Sequence, residues 1–283
     1  MNQPRGQEMS NLESVIVKSS TLELESGGLH TINIQVSEHI EVTLVAPKRT
    51  KGNALINVLG EGQLKLNVVI EESANWAILE MNQSDNAIVF EERWTLKKNS
   101  NLLLAVGELT AGSHVKNVNY DLAEEGATIN VRGATLVQSK LEAVLTANHI
   151  KGNTYAEINT YGIVLKECTL KLDVVGVIKA KAKNSKTHQT SRVMNFDTKP
   201  NTSVNPQLVI DENDVEASHA ASVGQPDVLQ VYYLQSRGMS RSESLKLISL
   251  GYLMPIVDVI ENEVVKEALR EAVINKVAES CLI

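Results

Sequence analysis

From residue 13 to about residue 215 apolar side chains fall on every second position, and the three-and-four spacing of a helix is nearly absent. Leu22/Leu24, Ile32/Ile34/Val36, Val42/Leu44, Leu64/Leu66/Val68, Ile88/Phe90, Leu102/Leu104/Val106, Ile129/Val131 and Leu170/Leu172/Val174 all follow this rule. Side chains of a strand alternate between its two faces, so the period marks half-buried strands. One local shape recurs: a small residue, then apolar residues two and four places on, as at Gly62, Ser100, Ala127 and Cys168. More than ten short strands in one chain have to stack or close on themselves. A parallel solenoid buries small and aliphatic side chains in a narrow interior, which suits a chain with two Phe and two Trp in 283 residues. A sandwich or barrel is the alternative the pattern leaves open, although so many strands would call for larger anchors.

The tail changes period. Pro226 to Ser236 reads as a helix with proline at its first position and Arg237-Gly238 as its stop. Ser240 and Glu243 form a capping box ahead of Leu245, Leu247, Ile248 and Leu250. Gly251 reads as a break and Pro255 as the start of another turn. A last helix is expected from near Glu261, with Val264, Val265, Ala268, Leu269, Ala272, Val273 and Val277 on one face. The chain therefore divides into a β core over residues 1–223 and a helical segment over 224–283. Those helices are expected to dock on the solenoid, to offer an apolar face to a partner, or both.

Several function classes are disfavoured. The formal charge of −7 and the scattered basic residues give no stripe for tracking phosphates, so no nucleic-acid partner is expected. No run of about 18 apolar residues exists, and the opening MNQPRGQEMSN has no apolar signal core, so no membrane association is expected and the location should be cytoplasmic. Cys168 and Cys281 give neither a disulfide framework nor metal-ligand spacing. Cys168 reads as a small core residue and Cys281 as a thiol near the chain end. GxxxxGK[ST], GxSxG and HExxH are absent. Asp211, Glu212, Asp214 and Glu216 read as turn formers on a solvated edge in preference to a paired-carboxylate site. The chain is expected not to be an enzyme.

The densest run of uncommon combinations lies between Thr198 and Leu253. It holds Thr198-Lys-Pro200, Leu208 to Ile210, Asp214-Val215, Ser218-His219-Ala220, Ser222-Val223-Gly224-Gln225, Asp227, Tyr233-Leu234, Ser236-Arg237-Gly238, Leu247-Ile248 and Gly251-Tyr252-Leu253. This run resembles the C-terminal signature of the SufB/SufD family of iron–sulfur cluster assembly proteins. A weaker resemblance extends upstream through Leu122-Ala-Glu-Glu-Gly126 to Phe196. The resemblance implies a right-handed parallel β-helix with a small C-terminal helical domain. It also implies a non-catalytic scaffold role in a cytoplasmic SUF-type complex. The partners it implies are a SufC-like ABC ATPase and either a SufB-like paralogue or a second copy of the chain.

Particular residues carry these implications. In SufD-type proteins the histidine matching His219 lies at the interface with SufB and is implicated in building the nascent cluster, so His219 is the candidate interfacial iron ligand. Neutral imidazole suits iron, and the small neighbours Ala217, Ser218, Ala220 and Ala221 let another chain approach. The chain alone is expected to bind no cofactor, the iron–sulfur cluster forming at the complex interface. SufB-type chains have glutamates beside this histidine and a sulfur-accepting cysteine about 27 residues upstream. Here Ser218 and Ala220 flank it and Arg192 is the closest upstream position, which points to SufD. The cysteine that SufD-type chains often carry two residues before the histidine is Ala217 here, and the length leaves no room for their helical N-terminal domain. A short SufD-like form is the expectation. Tyr232, Tyr233, Leu234, Arg237, Leu247, Ile248 and Tyr252 are the candidate partner-binding residues. His188 is a second imidazole in a basic loop, read as a surface residue. The rival readings are a β-solenoid enzyme acting on polysaccharide and a purely structural interaction module.

Overall fold

The computed structural model describes residues 14–17, 20–82, 84–196 and 201–280, so Thr198 to Pro200 and Cys281 lie outside the described residues. Two short strands, β1 (Ser14–Val17) and β2 (Ser20–Glu23), open the fold, followed by two long ones, β3 (Leu29–Ala46) and β4 (Lys51–Ile70). Then come β5 (Asn75–Asn82), β6 (Ile88–Leu96), β7 (Asn101–Glu108), β8 (Ser113–Leu122), β9 (Thr128–Val137) and β10 (Lys140–His149). The last strands are β11 (Tyr155–Val164), β12 (Thr169–Ile178), β13 (Lys186–Asn195), β14 (Thr202–Ile210) and β15 (Glu216–Gly224). Every pairing is parallel, and from β5 onward each strand pairs with the strand two further on. Coil therefore lies on coil, giving a parallel β-solenoid of about seven turns, as the resemblance implies, in place of a sandwich or barrel.

Stacking in register puts like beside like. One inward row runs through Ala54, Ile78, Leu104, Val131 and Ile158, each at most 1% exposed. At the turns a hydroxyl repeatedly holds the backbone. Thr50, Ser100 and Thr154 each donate from Oγ to the carbonyl three residues before, at 2.6, 2.7 and 3.1 Å. Trp76 and Trp94 are core residues, and Cys168 is buried at the start of β12.

The long strands β3 and β4 are not foreseen by a reading in short strands. Each turns a corner without breaking, so β4 pairs with β5 over its first half and with β6 over its second. The corner of β4 is built on Gly60 and Gly62, at φ +98° and +122°. A Cβ at Gly62 would lie 2.3 Å from the Glu38 carbonyl oxygen, so only glycine fits.

Three helices follow: α1 (Val228–Ser236), α2 (Arg241–Asp258) and α3 (Glu263–Glu279). Pro226 is not the first helical residue: α1 starts at Val228 with Asp227 as its N-cap, the Asp227 side chain accepting from Leu229 N at 2.8 Å. The capping box of Ser240 and Glu243 is present. Gly251 does not break the chain and Pro255 opens no new helix, because α2 runs through both. Proline clashes with the carbonyl four residues back, and that residue is Gly251, which has no side chain to resist the tilt. Leu253, Ile256 and Val257 are buried on either side of the proline, so packing outweighs the lost hydrogen bond. Together α2 and α3 lie over the outer face of β4, β5, β7, β9 and β11, making a second apolar core with Leu79, Met81, Ala105, Leu136 and Ile163.

Candidate functional site

Among the described residues the solenoid ends on two strands that are paired on one side alone. β14 pairs only with β12 and β15 only with β13, so each leaves one edge of backbone N–H and C=O groups open. His219 stands in β15 opposite Gln189, whose own partner on the coil below is Ile158. Gln189 and Ile158 are buried inward residues, 2% and 1% exposed. The imidazole therefore belongs to the inward row and is exposed because no further coil covers it. Ala217 and Ala221 flank it in the same row, opposite Val204, Pro206 and Leu208 of β14.

Directly beneath lies a firm floor. The Gln189 amide reaches across the interior to β12, its nitrogen donating to the Val174 carbonyl at 2.9 Å and its oxygen accepting from Gly176 N at 2.6 Å. Gly176 makes the room, since a Cβ there would stand 2.7 Å from that same amide oxygen. His188 is on the opposite face, with Nδ1 2.8 Å from Ser218 Oγ and its ring 6.0 Å from Tyr155. The two histidines thus lie on adjacent paired strands but point to opposite faces. Arg192 extends over the Tyr161 ring at 5.4 Å, also on the outer face. Glu212 closes the acidic turn by accepting from Lys181 N and Asn213 N, which fits a turn role for that cluster. Among the described residues no group of three His, Cys, Asp or Glu side chains is placed to hold a metal. His219 can supply one ligand.

The helical face carries the other candidates. Val228, Leu229, Tyr232 and Tyr233 are all more than half exposed, an unusual cost for one short helix. Leu229, Tyr233, Leu234 and Ile248 line an open groove of about 400 Å³ between α1 and α2, with Asp227 and Gln230 at its rim. Arg237 sits 5.2 Å over the Tyr233 ring, and Leu247 is exposed. Tyr252 is placed differently, its ring 6.1 Å from Tyr161 where α2 meets the solenoid.

A polar cluster in the interior is not apparent from the periodicity. Lys116 Nζ lies 2.7 Å from Glu80 Oε1, 3.1 Å from Glu92 Oε1 and 3.5 Å from Glu108 Oε2. Glu108 also accepts from His114 Nδ1 at 2.5 Å and from Asn82 at 2.8 Å. Burial works against the Lys116 ammonium, but the three carboxyls outweigh it and hold its pKa well above the usual lysine value. Burial also opposes the Glu108 carboxylate, and Lys116 and His114 outweigh it and hold that group below its usual value. The available signal was charge at even-numbered strand positions that should face inward, as in Phe90-Glu-Glu-Arg-Trp94.

His149 is fully buried, with Nδ1 2.7 Å from Thr154 Oγ1, and burial pushes its pKa down to about 4. The unfolded chain binds a proton near pH 6.5 and the folded chain does not, so stability is lost as pH falls from about 6.5 to 4. Leu122 and Ile178 are its neighbours in register, and His149→Leu is expected to flatten that loss. Urea midpoints at pH 6.5 and 4.5 check this, the wild type losing at most about 1.4 kcal/mol more per pH unit.

A family model described as SUF system FeS cluster assembly, SufBD core domain, matches residues 20–252. The iron-sulfur cluster assembly protein SufD of Bacillus subtilis is 30% identical over 182 residues, 64% of this chain and 42% of that protein. An iron-sulfur cluster assembly SufBD family protein of Pyrococcus horikoshii is 28% identical over 173 residues, 60% of this chain and 38% of that protein. SufD of Escherichia coli is 34% identical over 62 residues, 22% of this chain and 15% of that protein. The matched stretches span less than half the length of these relatives. No described helix is long and apolar enough to cross a membrane.

Proposed function

This chain belongs to the SufBD core family of the SUF iron–sulfur cluster assembly system, and from that premise we propose that it is a non-catalytic, SufD-like scaffold subunit working in the cytoplasm. The observation that carries the reading is the open end of the solenoid, where two bare strand edges surround a single imidazole. A second solenoid, from a SufB-like paralogue or another copy of the chain, adds strands to those edges. His219 then faces the partner across the junction. Its neutral imidazole offers a nitrogen lone pair to iron, and the partner's thiolate or carboxylate completes the coordination of the cluster under construction. Ala217 and Ala221 leave room for that approach, while the Gln189 floor keeps the imidazole from sinking into the interior.

The exposed helix α1 and the groove beside it seat a SufC-like ABC ATPase in this reading. ATP-driven movement of the ATPase transmits to the junction only through a difference in its affinity for the two arrangements. The experiment is His219→Ala in the full complex, purified with its partners under low oxygen and followed by ultraviolet–visible absorption and iron analysis. Partner binding is expected to survive and iron–sulfur absorption to fall. Unchanged cluster formation would remove His219 from the chemistry.

A further inference from the structure

A second polar site, well below the end face, lies in the solenoid interior and plays no part in the proposed function. Glu80 on β5, Glu92 on β6, Glu108 on β7, and His114, Lys116 and Tyr120 on β8 are each at most 5% exposed. Above them, towards the C-terminal coils, is a cavity of about 60 Å³. Its walls include Val118, Val131, Ala143 and Leu145, and Gly133 and Gly162 leave space where the stacked rows would otherwise place side chains. Thr160 lines the upper part, its Oγ1 donating to Ser191 Oγ at 3.0 Å.

The cavity walls are mainly apolar, with Glu80 and Thr160 among the few polar groups that line it. Glu80 lines it and its Oε2 has no hydrogen-bond partner among the described residues, although the residue is 1% exposed. Buried carboxyl oxygens require partners, and a water needs only about 10–15 Å³ and two or more polar neighbours. Glu92 is the carboxyl beside Glu80, and its other oxygen accepts from Trp94 Nε1 at 3.1 Å. Two adjacent carboxyls in a low dielectric do not both ionise when one ammonium is shared with a third carboxylate.

We propose that this cavity binds a small cluster of water molecules between Glu80 and Thr160, and that Glu80 holds a proton beside it. The titratable groups facing that proton are Glu92, Glu108, His114, Lys116 and the Tyr120 hydroxyl. Burial, and then the charge of Glu92, push the Glu80 pKa up to about 8. The folded chain thus keeps a proton that the unfolded chain releases near pH 4.5. Stability from this group is fully present below about pH 4.5 and is lost as pH rises to about 8, by up to about tenfold in the folding constant per pH unit. Between pH 6.5 and 8 the opposing His149 effect is mostly complete and adds only about a twofold change in the folding constant, so the fall in that window reports chiefly Glu80.

The test uses the full chain. Wild-type urea midpoints are expected to fall from pH 6.5 to 8 and to level off above, and Glu80→Gln is expected to abolish the fall. Should that variant fail to fold, Glu92→Gln is the second variant: it removes a charge that helps Glu80 to keep its proton, so the fall should shrink. Infrared difference spectra at pH 7 should show a protonated carboxylic acid band that Glu80→Gln removes. A high-resolution crystal structure should show ordered solvent within hydrogen-bonding distance of Glu80 and Thr160. A pH slope that persists in Glu80→Gln or is undiminished in Glu92→Gln, no acid band at pH 7, or a cavity without ordered solvent overturns the proposal.

Discussion

Replacing Lys116 with methionine is expected to lower folding stability by about 3–5 kcal/mol, the range for removing one partner of a buried ion pair. The size follows from what remains. Methionine preserves most of the volume, so little of the loss comes from packing. Glu80, Glu92 and Glu108 would keep their place in the interior without the ammonium that now lies 2.7 to 3.5 Å from each. Extra protons would have to enter the cluster, or the coil would have to open to admit solvent. A guanidinium titration at constant m-value measures the loss. The companion experiment adds Glu92→Gln and Glu108→Gln to the methionine variant, and much of the stability should return, since an interior without charge tolerates the change better than one with unbalanced charge. A loss below about 1 kcal/mol for Lys116→Met alone would show that the lysine balances no charge there.

The second large effect is at the helical face. Tyr233→Ala is expected to weaken docking of the proposed ATPase partner by about 30-fold or more, equivalent to about 2 kcal/mol. Tyr233 is 56% exposed, borders the groove with Leu229 and Leu234, and is stacked by Arg237, so its ring is held ready for a partner. The same exposure means that thermal stability should hardly change, which separates lost docking from lost folding. Tyr252→Ala should behave in the reverse manner, because that ring packs on Tyr161 against the solenoid. Binding of the ATPase to the Tyr233 variant within threefold of wild type would exclude α1 as the anchor.

How far the sequence could be read depended on whether a residue's role was local. Alternation in Leu102/Leu104/Val106 and Leu170/Leu172/Val174 is set within one strand, so β7 and β12 were legible. The capping box at Ser240 is equally local. The continuity of α2 through Gly251 and Pro255 depended on burial of Leu253, Ile256 and Val257, which lies outside the segment's own propensity. The cluster of Glu80, Glu92, Glu108 and Lys116 was hidden for a similar reason. These residues come together only when β5, β6, β7 and β8 are in register, and a charge in an alternating strand reads as outward-facing until that register is known. His219 was found through family resemblance, yet its position over Gln189 required the coil pairing. Its row, not its neighbours along the chain, determines what the imidazole sees.

The two long helices act on the stack as a splint acts on a row of coins. In a solenoid each layer holds only the layers next to it, and melting can begin at any unsupported end. Here α2 and α3 bind the layers from β4 to β11 into one mechanical unit, whereas β14 and β15 lie beyond their reach. The terminal layer is consequently supported from one side alone, and a molecule that completes it lengthens the rod without displacing the layers beneath.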